Sequence, residues 1–387
     1  MKYGGRYPMP HESLEEIYKL YEFNKTEPET LSCLIKSAIE KSDGIRNNFE
    51  LCKDLARTIH EIFVRENFVH SLEVSSEDVE REMGCVGIDG SFQCVGGLGG
   101  IWYTPISCSR ILFKGFMDNN PEVEVAADIH DINEIEYPAV EKEAEFRMLV
   151  GETKAINEWL SKGALSPQKV TVFIDGPIVD PPWFSSDKRY KEYLEDRCDV
   201  IKRCIEKNVL LIGCVKRIFG RYLINNIRDK LAKNDQEKER AKQFISDAHL
   251  ISFVFTKLSM EHPNKVFHTT PISVSTTDET HEAYLKEGID VFTVFMQKDL
   301  TSAPTRLDIP VLCGKSSDIS ERTAKAVKIS ALWTLPGQNW PLPIILAHYK
   351  CNIRKGCAEV LYNEMITRTT SPNLFDNIVK VKQEVRT

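Results

Sequence analysis

Two aspartates stand in the same local setting in this sequence. Asp89 follows the apolar run Cys85-Val-Gly-Ile and precedes Gly90, and Asp175 follows Val170-Thr-Val-Phe-Ile and precedes Gly176. A single Asp-Gly is first of all a turn dipeptide, because both residues tolerate positive φ. Two of them closing buried-type strands point further. In open α/β sheets, ligands collect outside the carboxyl ends of the strands, where side chains from neighbouring strands converge. Carboxylate oxygens brought together in this way suit a hard divalent cation such as Mg²⁺ or Mn²⁺.

A third acid comes from the segment between them. At about 100° per residue, Glu145 and Glu152 share an apolar stripe with Leu149, Ile156, Trp159 and Leu160, whereas Glu158 lies with Arg147 and Lys154 on a solvated face. A carboxylate on a buried face needs a partner, either a basic side chain or a metal ion. The stripe therefore favours Glu152 over Glu158. Asp89, Glu152 and Asp175 form a candidate divalent-metal triad, and the reaction such a triad fits best is phosphodiester hydrolysis. Lys216 ends another apolar run, Val209 to Val215, and could hold a phosphate as a point charge, with Arg217 and Arg221 extending a basic strip. His348 closes the apolar run Leu342-Pro-Ile-Ile-Leu-Ala; it could ligate metal or face the scissile phosphate, or be a packed helix residue. With Cys351 and Cys357 it lacks the fourth ligand a zinc site needs.

The elements that must position these residues follow from periodicity. Residues 1–80 read as a helical extension, with helices near 14–20, 29–41 and 47–67 and a polar link from Glu73 to Met83. Short strands at 85–88, 101–113 and 122–129 suggest an antiparallel meander. Helix over about 138–160, strand 170–174, helix 186–207 and strand 209–215 follow. Helices near 221–232 and 236–250, strands near 265–274 and 290–297, and a mainly helical stretch from Ser316 complete the chain. The order describes an α/β fold with a mixed sheet flanked by helices.

Composition narrows the classes. Of 387 residues, 42% are hydrophobic and 28% charged, enough apolar surface for a packed core. Lys and Arg total 50 against 57 Asp and Glu, a net charge of −7, which argues against nucleic-acid binding by bulk positive charge but leaves a local basic groove open. No apolar run reaches the ~18 residues needed to span a bilayer, and the start resembles no signal peptide, so a cytoplasmic address is expected. The 11 cysteines contain no CxxC pair and read as buried and reduced.

Several of these segments resemble the NurA nuclease family of archaea and bacteria. They are Gly87-Ile-Asp89-Gly-Ser91, the helix with Arg147 and Glu152, Phe173-Ile-Asp175-Gly-Pro, Gly213-Cys-Val-Lys216, Arg306-Leu-Asp-Ile-Pro310 and Leu342 to His348, in family order over about two thirds of the chain. The resemblance implies an RNase H-like core and a Mn²⁺- or Mg²⁺-dependent 5′–3′ exonuclease and single-strand endonuclease. It further implies a homodimer that works with the hexameric HerA translocase in DNA end resection and repair. On that resemblance Asp89, Glu152 and Asp175 would hold metal and His348 would complete the catalytic set; the basic strip Lys216, Arg217 and Arg221 is, on charge alone, the expected DNA contact. Glu158 is the alternative helix carboxylate, because the Arg147–Glu152 interval is five residues rather than the usual four. The family's tyrosine has no aligned position; Tyr222 is nearest. The implied layout is an assembly extension over 1–80, a nuclease domain over 81–370 and a tail over 371–387. A different class remains open: a catalytically degenerate adaptor subunit of a DNA-translocating ATPase.

Overall fold

The computed structural model describes residues 27–75, 77–78, 84–98, 101–133, 137–162, 170–184, 189–218, 220–274, 279–314 and 319–368. The helix expected near 14–20 lies outside them. Contacts group the chain into two units, Met1–Leu55 and Ala56–Thr387. The two helices expected at 29–41 and 47–67 are one, α1 (Pro28–Arg65). Nothing between them stops a helix: there is no proline, Ser42 Oγ donates back to the Ile39 carbonyl at 2.6 Å, and a single Gly44 costs only about 1 kcal/mol.

Among the described residues, eleven strands form one sheet: β1 (Val69–Leu72), β2 (Cys85–Phe92), β3 (Val95–Leu98), β4 (Ile101–Phe113), β5 (Glu122–Asn133), β6 (Thr171–Asp175), β7 (Leu210–Val215), β8 (Val266–Thr269), β9 (Ile272–Ser273), β10 (Ile289–Gln297) and β11 (Thr305–Leu312). Its spatial order is β1-β8-β10-β11-β7-β6-β2-β4-β3, with β5 on β4 and β9 on β10. Among the described residues, the α-helices labelled after α1 are α2 (Tyr137–Lys162), α3 (Tyr190–Glu206), α4 (Tyr222–Asn226, continued by a π-helical turn over Ile227–Leu231), α5 (Asp235–Lys242), α6 (Asp247–Glu261), α7 (Glu279–Lys286), α8 (Ile319–Trp333), α9 (Leu342–Cys351) and α10 (Lys355–Arg368).

The centre of the sheet is the expected meander plus two parallel strands. β2, β4 and β5 pair antiparallel, and β6 joins β2 in parallel, with β7 parallel to β6. The resulting order β5-β4-β2-β6-β7 is the RNase H-like arrangement. Beyond β7 the sheet continues through the antiparallel strands β11, β10, β8 and β1. Two of these were not expected as strands. β1 is four residues long and gains its partner only through β8. β11 carries charge where a buried strand should be apolar. There Arg306 and Asp308 lie two apart on one face and neutralise each other, Nε to Oδ1 at 2.8 Å and Nη2 to Oδ2 at 2.7 Å.

Both faces of the central strands are covered, so these strands read as apolar runs. On one face Val86, Ile88, Val172, Ile174 and Leu211 pack with Phe146, Ile156 and Trp159 of α2 and with Tyr193 and Ile201 of α3. On the other, Cys85, Phe173, Ile212 and Cys214 pack with Val327 and Trp333 of α8 and Ile344 and Ala347 of α9. Alternation then fixes the acids. Asp89 shares the parity of Cys85, and Asp175 that of Phe173, so both side chains leave the sheet on the α9 face.

Two glycines let helices lie directly on β2. A Cβ at Gly87 would stand 2.3 Å from the backbone oxygen of Pro343 in α9. One at Gly90 would stand 2.4 Å from Met148 Cγ and 2.8 Å from Glu152 Oε1 in α2. Gly87→Ala is expected to push α9 off the sheet. Overpacking of this kind costs on the order of 1–3 kcal/mol or more, and a lowered midpoint in urea unfolding checks it; an unchanged midpoint would mean that α9 yields freely.

Candidate metal centre

Parallel pairing sets Ile88 opposite Ile174, so Asp89 and Asp175 come level one residue later, at the carboxyl ends of adjacent strands. Gly176, at φ +139°, then turns the chain away from the strand end, a conformation that suits a residue without a Cβ. Asp89 is 4% exposed, and its Oδ1 accepts the Gly90 N–H at 2.8 Å. His348, near the end of α9, shares a hydrogen bond between its Nδ1 and Asp89 Oδ2 at 2.8 Å, and the same nitrogen lies 3.9 Å from Asp175 Oδ2. Lys216, just past β7, pairs with Asp175 Oδ2 and sets its ammonium 5.1 Å from the Trp340 ring centroid. One ligand atom each from Asp89, Asp175 and His348 all fall within 4.8 Å of one another. α9 is anchored behind them, where Ser109 Oγ on β4 donates to the Ala347 carbonyl at 2.7 Å.

Glu152 stands outside that three-residue group but against it. It is 2% exposed and enters from the opposite face of the sheet, over Gly90. Glu158 is exposed, 4.0 Å from Lys154. Burial foremost, and then the charge of Asp175, raises the Asp89 carboxyl from its ordinary 3.8 to about 7, against the pull of Lys216 and His348. Burial and the charge of Asp89 push the Glu152 carboxyl well above its ordinary value as well. Asp89 and Glu152 are buried close to Asp175, and the basic groups at hand do not bring these two carboxyls back to their ordinary values. That is an environment a divalent cation relieves. The donor chemistry agrees: Asp89, Asp175, Glu152 and the His348 imidazole offer hard oxygen and nitrogen atoms. The adjacent Cys108 thiol is pushed up to about 12 by burial and by Glu152 and Asp89, so it stays protonated and is a poor ligand. The residues present therefore fit Mn²⁺ or Mg²⁺.

The remaining sequence candidates divide. Arg217 is exposed beside Lys216. Arg221 turns away and donates to the Lys242 carbonyl at 3.0 Å. Tyr222 lies under the Arg306 guanidinium, 4.8 Å from ring centroid to carbon. Asp308, already forked to Arg306, also accepts the Ile178 N–H at 3.3 Å and so pins the loop that follows Asp175. Arg197 and Asp180, both buried near Glu152, are not among the site residues expected from the sequence. A signal existed: Arg197 sits on the apolar stripe of α3 with Tyr193, Leu194 and Ile201.

Acids at the carboxyl ends of the central parallel strands of a β5-β4-β2-β6-β7 sheet define an RNase H-like protein with a candidate two-face metal site. The sequence profile of the NurA domain matches residues 85–349. The chain belongs to the NurA family. It shares the fold of the NurA nuclease from Sulfolobus solfataricus, with a TM-score of 0.56 and 13% identity over 87% of this chain and 96% of that one. A second NurA crystal structure aligns over 90% of this chain and 99% of its own at a TM-score of 0.48 and 10% identity. Bacillus subtilis endonuclease V aligns over 84% and 94% at 0.32 and 11%. No curated protein matches the chain by sequence.

Because the folded protein holds a proton on Asp89 that the unfolded chain releases near its ordinary 3.8, stability without metal falls as pH rises from there to about 7. Asp89→Asn in EDTA at about pH 8 is therefore expected to melt a few degrees above the wild type, with the difference closing toward pH 4. Thermal melts across that range check it; a lower melting point at the alkaline end would contradict the crowded-acid account. Mn²⁺ affinity of the wild type should rise over the same interval, since binding displaces the proton.

Proposed function

We propose that this protein, a nuclease of the NurA family, cleaves DNA in a Mn²⁺- or Mg²⁺-dependent reaction as a 5′–3′ exonuclease and single-strand endonuclease. The observation that carries the reading is the convergence of Asp89, Asp175 and His348 at adjacent strand ends, with Glu152 buried beside them. A bound divalent cation would supply an activated water and charge stabilisation for the phosphodiester. Asp89, Asp175 and Glu152 would hold it. His348, half exposed, sits where it can meet both the cation and the scissile phosphate. Lys216 is close enough to exchange its Asp175 partner for a phosphate oxygen, and Arg217 offers the next positive charge along the strand end.

The N-terminal part of α1, where Leu34, Ile39 and Leu51 are exposed apolar side chains, would serve homodimer assembly or contact with a HerA-type hexameric ATPase in end resection, whereas β1, within the 1–80 segment, pairs with β8 in the sheet. No helix among the described residues is long and apolar enough to cross a membrane.

Labelled single-stranded DNA incubated with the protein and Mn²⁺ is expected to be degraded, and EDTA to stop it. Asp89→Ala and Asp175→Ala should each lower the rate on the order of 100-fold or more, the equivalent of a few kcal/mol of lost charge stabilisation. Full cleavage by Asp89→Ala would sink the reading. The second reading, an inactive adaptor on a DNA-translocating ATPase, draws on the pairs Lys216–Asp175 and His348–Asp89, which already spend part of the acids' charge internally. It predicts no Mn²⁺ binding in calorimetry.

A further inference from the structure

Arg197 is 1% exposed, inside the buried stripe of α3. A guanidinium is always charged, and a buried one must be compensated. Two carboxylates share that role, Asp180 and Glu152. Asp180 is largely occupied: the hydroxyls of Tyr284, Tyr193 and Tyr190 donate to it at 2.7, 2.9 and 3.2 Å, filling three of about four acceptor positions. Arg197 Nη1 instead donates to Thr153 Oγ1 at 3.2 Å, the residue after Glu152. That hydroxyl gives its own proton to the Leu149 carbonyl at 3.0 Å, so it can only accept from the guanidinium. Arg197 Nε and Nη2 are buried with no hydrogen-bond partner among the described residues. A buried, tethered cation with two unpartnered donor nitrogens thus stands behind Glu152, the acid that packs over Gly90 next to Asp89.

We propose that Arg197 is a positioning residue of the metal centre: it touches neither cation nor DNA, but fixes Glu152 beside Asp89 by compensating its charge and tying its helix to α3 through Thr153. This rests on the reading of Asp89, Asp175 and Glu152 as a metal site. It differs from a purely structural role in one respect: its effect on the metal must pass through Glu152.

The test is calorimetric titration of the full chain with Mn²⁺ alone, on the wild type, Arg197→Lys, Glu152→Gln and the double variant. Lysine keeps the charge and loses the planar fork. Groups behind metal ligands typically contribute about 10–100-fold to affinity. Arg197→Lys and Glu152→Gln should each weaken Mn²⁺ binding by about 10-fold or more, and adding Arg197→Lys to Glu152→Gln should change it by less than about 2-fold. Unchanged affinity in Arg197→Lys, or the same loss with and without Glu152, overturns the proposal. Should Arg197→Lys fail to fold, Thr153→Val removes the acceptor hydroxyl and is expected to weaken binding several-fold by the same Glu152-dependent route. A wild type with no Mn²⁺ binding that Asp89→Asn abolishes would remove the metal site itself, an outcome distinct from the loss of Arg197's role alone.

Discussion

The repulsion between carboxylates held at the ends of adjacent buried strands is the constraint around which this molecule is built. Parallel pairing of β2 with β6 brings Asp89 level with Asp175. The hydrogen bonds of the sheet leave those two acids no freedom to separate. Every neighbouring element then contributes something that makes the crowding tolerable. β7 delivers Lys216 to Asp175, α9 delivers His348 to Asp89, and α3 places Arg197 behind Glu152. The protein's own cations reduce the cost without removing it, since Asp89 and Glu152 still hold their protons more tightly than free carboxylates do. A site left in that condition is prepared for a divalent ion.

The same strand shows how position is controlled by close packing. β2 has a glycine under each helix that crosses it, so α9 and α2 rest on backbone rather than on side chains. Interiors at this density do not deform smoothly, and a helix seated in this way has one place to sit. His348 and Glu152 inherit that definition from opposite faces. A second, fully buried ion pair does comparable work for the loop beyond Asp175. The Arg306–Asp308 fork stands on β11, the strand paired with β7, and Asp308 holds the backbone of Ile178.

Much of this was legible in the chain. The two apolar runs ending in Asp-Gly, the buried stripe carrying Glu152 and the apolar helix ending in His348 all follow from periodicity, because strands covered on both faces and helices packed on one leave strong hydrophobic signals. The meander and the β6-α3-β7 crossover follow for the same reason. β1 was lost because four residues at a sheet edge carry almost no pattern. β11 was lost because its charges cancel each other two residues apart, which no hydropathy pattern distinguishes from a loop. Lys216, Arg217 and Arg221 are neighbours in sequence but not one strip in space, because Arg221 lies beyond the turn and bonds to the end of α5.

By itself, then, the sequence determined which residues are buried on which face of which element, since that depends only on spacing and polarity. Which of the 57 acids meet one another depended on strand register, on the parity that turns Asp89 and Asp175 to the same side, and on the missing side chain at Gly90 that lets Glu152 pack against β2. Arg197 shows the difference most plainly. In the sequence it is a charge out of place on an apolar stripe; in the fold, Asp180, three tyrosines and Thr153 surround it, drawn from four separate stretches of chain. Such a neighbourhood exists only after distant segments have packed, and no local pattern encodes it.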